Sequence, residues 1–194
     1  MIQCEIISFP SILLLFSAIS GGIDKFLYCY KNRVYGGLKM ARVKNEKFAI
    51  VCCNIEFDAL KRFGVNGRNI YWIGNCNELF QRIAMGDTLC VCNVKSFAVG
   101  AYDLFHKMRC FSDMGIEFQS LNERFLNFSR SKPMQETTYQ ALESMANREH
   151  EFELWIQASK LNQDAKAQLI SRLHYEFLTD IVIMFHNTGI KRRN

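Results

Sequence analysis

Proline is nearly absent from this 194-residue chain, with 2 in all, and no Gly/Ser/Pro-rich or low-complexity stretch interrupts it. That composition excludes a long disordered linker. Missing as well are a Gly-rich phosphate loop, a Cys-x-x-Cys pair, a neighbouring His pair and a recognisable His/Asp/Cys constellation. Without them, nucleotide binding, zinc-finger folding and triad hydrolysis have no sequence signature, so no cofactor and no metal ion are implied. No apolar run approaches the roughly 20 residues that a bilayer-spanning helix needs, and no membrane partner is expected.

What the chain does have is 49% hydrophobic residues, 16 of its residues being Phe, enough to bury one good core. Its formal charge of +5 is spread out, except for Lys191-Arg192-Arg193 near the end. The eight cysteines include pairs set in apolar runs, Cys52-Cys53 and Cys90-Val91-Cys92, rather than at disulfide-framework spacing. A reduced, cytoplasmic protein is the expectation. Residues 12–20 have the look of a short signal-peptide core, but the preceding flank carries Glu5 and no base, and Pro10 breaks the run. Residues 1–39 are therefore read as an N-terminal extension, poorly ordered or foreign to the fold, and the folded part is read from Met40.

From Lys47 onward strands alternate with helices. Phe48-Ala49-Ile50-Val51-Cys52-Cys53 is a continuous apolar run of the kind buried on both faces of a parallel sheet. A helix over 56–63 stops at Gly64, a strand covers 69–73, a helix over 77–85 stops at Gly86, and a strand covers 89–92. A helix over 101–114 stops at Gly115, and a fourth strand covers 116–121. This order implies an α/β fold, a mainly parallel four-stranded sheet flanked by helices. Beyond Pro133 two long helices are predicted, over 134–158 and 162–186, each with an apolar stripe. The stripe of the first holds Leu142, Met145, Phe152, Trp155 and Ile156. The chain thus divides into an extension (1–39), an α/β domain (40–132) and a long helical dimerisation or partner-binding region (133–194).

The stretch Gly86-Asp87-Thr88-Leu89-Cys90-Val91 resembles the Gly-Asp-x-Leu start of the third strand in the resolvase/invertase serine recombinases. Gly115-Ile116, Ser120-Leu121 and Pro133-Met134 follow in the family's order, as do Leu142, Ala146, Glu149 and Glu151 in its long helix. The likeness spans about Lys47 to Ile156. It implies a sheet with the first strand beside the third, and a chemistry in which a serine attacks a DNA phosphate among arginines. Here the first strand ends in Val51-Cys52-Cys53-Asn54, and if Ala41-Arg42-Val43 is aligned to the family's nucleophile segment instead, Lys44 stands in the serine's place. Ser96 and Val99 occupy the arginine positions after the third strand, and the loop after the second is cut to Gly74-Asn75-Cys76. Cys53, at the nucleophile position, reads as a small buried apolar side chain rather than a replacement nucleophile.

Three readings follow from these residues. The first is a catalytically inactive serine-recombinase-like domain that acts as a homodimerisation or protein-interaction module through its long helices. The alternative is a DNA-associated accessory factor in recombination, although residues 162–186 form one striped helix rather than a helix-turn-helix pair. An enzyme of different chemistry has no residues to support it.

Overall fold

The computed structural model describes residues 45–190. The extension 1–39, the segment around Lys44 and the basic Lys191-Arg192-Arg193 lie outside the described residues. Four strands, β1 (Lys47–Val51), β2 (Ile70–Trp72), β3 (Thr88–Val91) and β4 (Glu117–Ser120), form one sheet in the order β2-β1-β3-β4. Every pairing is parallel, with Ala49 opposite Ile70, Ala49 opposite Cys90 and Cys90 opposite Gln119. Helices connect them: α1 (Asn54–Arg62), α2 (Cys76–Arg82) and α3 (Ala101–Asp113). Two long helices, α4 (Glu136–Ala158) and α5 (Gln163–Ile190), follow. The α/β fold and its long C-terminal helices stand as the pattern predicts, and β1 lies beside β3, the neighbour that the likeness implies.

Successive strand residues face opposite sides of the sheet, and β1 divides its apolar residues accordingly. Ala49 and Val51, with Ile70, Cys90 and Cys92, pack against Leu60 of α1. Phe48 and Ile50, with Tyr71, Leu89, Val91 and Phe118, pack against Leu79 of α2 and Leu104, Met108 and Phe111 of α3. The same second core takes in Leu142 and Ala146 of α4 and Leu178 and Ile181 of α5, so the helices after Pro133 share one hydrophobic core with the sheet.

Helix ends are set locally. At Gly64 (φ +96°) the Val65 amide donates to Leu60 O and the Gly64 amide to Lys61 O; at Gly115 (φ +66°) the Ile116 amide donates to Phe111 O and the Gly115 amide to Ser112 O. These paired bonds close the last turns with a left-handed residue that only glycine adopts cheaply.

α3 begins differently. Gly100 at its N-terminus has no side chain to cap the helix, and the carboxylate of Glu149, reaching over from α4, accepts the Tyr102 amide instead. A Cβ on Gly100 would collide with Glu149 Oε1. Gly100→Ala must push this fully buried carboxylate off the helix end, and a loss of about 1–3 kcal/mol is expected. Urea unfolding of Gly100→Ala in the wild-type and Glu149→Ala backgrounds checks this: the cost should shrink sharply once the carboxylate is gone.

Candidate functional site

The chain moves one way across the sheet from β1 to β2 and the other way from β3 to β4, so the loops leaving β1 and β3 diverge. In open α/β sheets the crevice at such a reversal, outside the carboxyl ends of the strands, is where ligands bind. Here Cys52 and Cys53 follow β1, and Cys92, Asn93 and Ser96 follow β3.

Glu56, in the first turn of α1 and 6% exposed, joins the loops that leave β1 and β3. Its Oε2 accepts the Cys52 amide at 2.7 Å; its Oε1 accepts Asn93 Nδ2 at 2.7 Å and the Ser96 hydroxyl. Asn93 in turn accepts the Ser96 amide at 3.1 Å, capping the 3-10 turn Val94–Ser96. The Cys52 thiol sits 3.6 Å from Ser96 Oγ, and the Cys92 thiol reaches Glu56 O at 3.6 Å. A second carboxylate, Glu123, accepts the Ser120 hydroxyl at 2.5 Å and the Val94 amide at 3.1 Å, which ties the loop after β4 to the loop after β3.

Among the described residues, charge around Glu56 is one-sided. The three groups that hold Glu56 are all neutral. Bases nearby in sequence turn elsewhere: Lys95 lies 4.4 Å above the Tyr175 ring and bonds Thr179, while Lys107 pairs with Asp103 at 2.8 Å. Burial pushes the Cys52 thiol up to about 12; the Ser96 hydrogen bond opposes that shift, and Glu56 adds to it. Burial likewise pushes Cys92 up to about 11, with Glu56, Cys53 and Glu123 contributing. Both thiols are therefore protonated at neutral pH, and a protonated thiol is a poor nucleophile.

The positions singled out in the sequence are only partly brought together. Ser96 is 2% exposed and joins the Glu56 network. Val99 stays outside it, half-buried, its amide bonded to Asp103 at 3.0 Å. Two expectations need correcting. β1 ends at Val51, not Cys53, because the Cys52 amide turns to Glu56 and Cys53 becomes the residue before α1. Cys53 is accordingly half-exposed rather than buried, and its neighbour Cys52 is the thiol that meets Ser96.

The five stripe residues of α4 also divide. Leu142 is fully buried, Ile156 is 6% exposed and Met145 packs on the core, so these three serve the chain's own interior. Phe152 and Trp155 point outward, 53% and 72% exposed. Among the described residues no helix is long and apolar enough to cross a membrane. Compared with known proteins, the chain matches no family model and no curated protein.

Proposed function

We propose that this chain is a catalytically inactive relative of the serine recombinases that works as a homodimerisation module, a second copy covering the tip of its α4–α5 hairpin. The observation that carries the reading is that tip. Phe152, Leu154 and Trp155 of α4, Leu161 of the turn and Leu169 of α5 are all between 42% and 72% exposed. Large apolar residues exposed near the turn of one helical hairpin have the composition of an interface core, where aromatic anchors carry most of the binding energy.

Inactivity rests on the crevice. Phosphoryl transfer needs cationic donors where negative charge builds up, and removing one such donor typically costs about 10²–10³ in rate. In this crevice a carboxylate with neutral partners occupies the centre, Ser96 is engaged as its donor, and an approaching phosphate meets repulsion. The placement of β1 beside β3 and the long helix after the sheet support the relationship to the family.

The test is incubation of the purified protein with supercoiled plasmid and a panel of candidate sites, followed by denaturation. Neither nicking nor a covalent protein–DNA adduct is expected. An adduct mapped to Cys53 or Ser96 would mean a rebuilt catalytic centre.

A further inference from the structure

Two adjacent thiols and a buried carboxylate converge where the loop after β1 meets α1. The ligand atoms of Cys52, Cys53 and Glu56 all lie within 4.8 Å of one another. We propose that Cys52, Cys53 and Glu56 form a binding site for a thiophilic divalent cation of the zinc class, with water completing its coordination. Nothing in this depends on how the hairpin tip associates.

Bond lengths of about 2.3 Å to sulfur and about 2.0–2.2 Å to oxygen place tetrahedral ligand atoms roughly 3.5 Å apart. Closure by about an ångström suffices, and rotation of the exposed Cys52 and half-exposed Cys53 side chains supplies that movement. A carboxylate offers about four lone-pair positions. Glu56 uses three, toward the Cys52 amide, Asn93 and Ser96, and these bonds would orient the fourth as outer partners orient a metal ligand. Thiolate selects zinc, cadmium or cobalt over magnesium and calcium. Cys52 is an exposed residue and Cys53 a half-exposed one, with Glu56 buried behind them, which leaves the outer side of the site for water.

Electrostatics favour the same occupant. Among the described residues Glu56 has no cationic partner in its hydrogen bonds. A divalent cation compensates the carboxylate and replaces both thiol protons, which leave to solvent as two H⁺ per metal bound. The site carries no sequence signature, because consecutive cysteines followed by a glutamate do not match the spacing of zinc motifs.

The experiment uses the full chain, reduced, stripped with a chelator and titrated with Co(II). A sulfur-to-cobalt charge-transfer band saturating at one equivalent is expected, lost on adding Zn(II). Cys52→Ser and Cys53→Ser should each weaken binding at least roughly tenfold, while Cys110→Ser, on α3, leaves it unchanged. Absence of the band, or a band that survives both serine changes together, would overturn the proposal. Should a serine variant fail to fold, alkylation of the wild-type protein with and without Zn(II) decides. Protection mapped to Cys52 and Cys53 supports the site, and protection confined to other cysteines contradicts it.

Discussion

Glu56→Ala is expected to destabilise the protein by about 2–4 kcal/mol, although Glu56 belongs to neither hydrophobic core. Its carboxylate holds a donor from the loop after β1 and two from the loop after β3, so truncation leaves the Cys52 amide and the Asn93 amide group without this acceptor and the Ser96 hydroxyl with only the longer bond to Asn93 Oδ1, 3.3 Å. Ser96 is 2% exposed and its hydroxyl has little access to replacement water. A buried donor without a partner costs about 1–3 kcal/mol, and water entering near the exposed Cys52 recovers part of the total. Glu56→Gln should cost less, because one oxygen remains to accept and the Ser96 hydroxyl can rotate to accept from the new amide. The midpoint of urea unfolding, at unchanged slope, measures both. A Glu56→Ala midpoint indistinguishable from wild type would mean that the two loops are not held together through this side chain.

The second large effect is a dependence of stability on pH. Burial raises the Glu149 carboxyl from 4.5 to about 7, against the pull of the Tyr102 and Ala101 amides, with Glu153 and Asp103 adding to the rise. Because the folded pKa is the higher one, the native state binds more protons than the unfolded chain between these values. The stabilisation is fully present below about 4.5 and is lost as pH rises through about 7. The shift corresponds to about 3 kcal/mol across that window. His106 works in the opposite sense, since burial and Arg109 hold it below its usual value and it opposes folding as pH falls. The difference between wild type and Glu149→Gln isolates the carboxyl. The variant should match wild type near pH 4.5 and exceed it progressively toward pH 8. Parallel stability curves for the two proteins would show that Glu149 does not titrate as its burial dictates.

The alternation of elements was legible because its signals are local. Apolar runs of strand length and glycines at the helix ends lie within a few residues of the features they determine, and Gly64 and Gly115 adopt the left-handed conformation that stops α1 and α3. The end of β1 was less legible, since Cys52 and Cys53 are apolar enough to prolong a buried strand. What removes them from it is a hydrogen bond from the Cys52 amide to Glu56, four residues away.

The crevice was legible only in part. Ser96 could be placed in it through the likeness to a family, but Glu56 lies 40 residues from Ser96 and 37 from Asn93, and no spacing motif links residues joined only by the pairing of β1 with β3. A faint signal existed in an acid three residues after the residue that opens a helix, the position from which a glutamate reaches back to cap it. On α4 the apolar stripe concealed a division. Helical spacing puts Glu149 on the buried face with Leu142, Ala146 and Ile156, and leaves Phe152 and Trp155 to one side. An acid in the middle of an apolar stripe was the mark of the Glu149 cap.

The central claim, that the hairpin tip joins two copies of this chain, is tested most directly by sedimentation equilibrium of the wild-type protein and of Trp155→Glu across micromolar concentrations. The wild type should fit the mass of a dimer. The variant should fit the 22.6 kDa monomer, because a charge at a residue 72% exposed leaves the fold intact but cannot be buried against a second copy. A wild-type protein that stays monomeric throughout, or a variant that dimerises as tightly as wild type, would contradict the account.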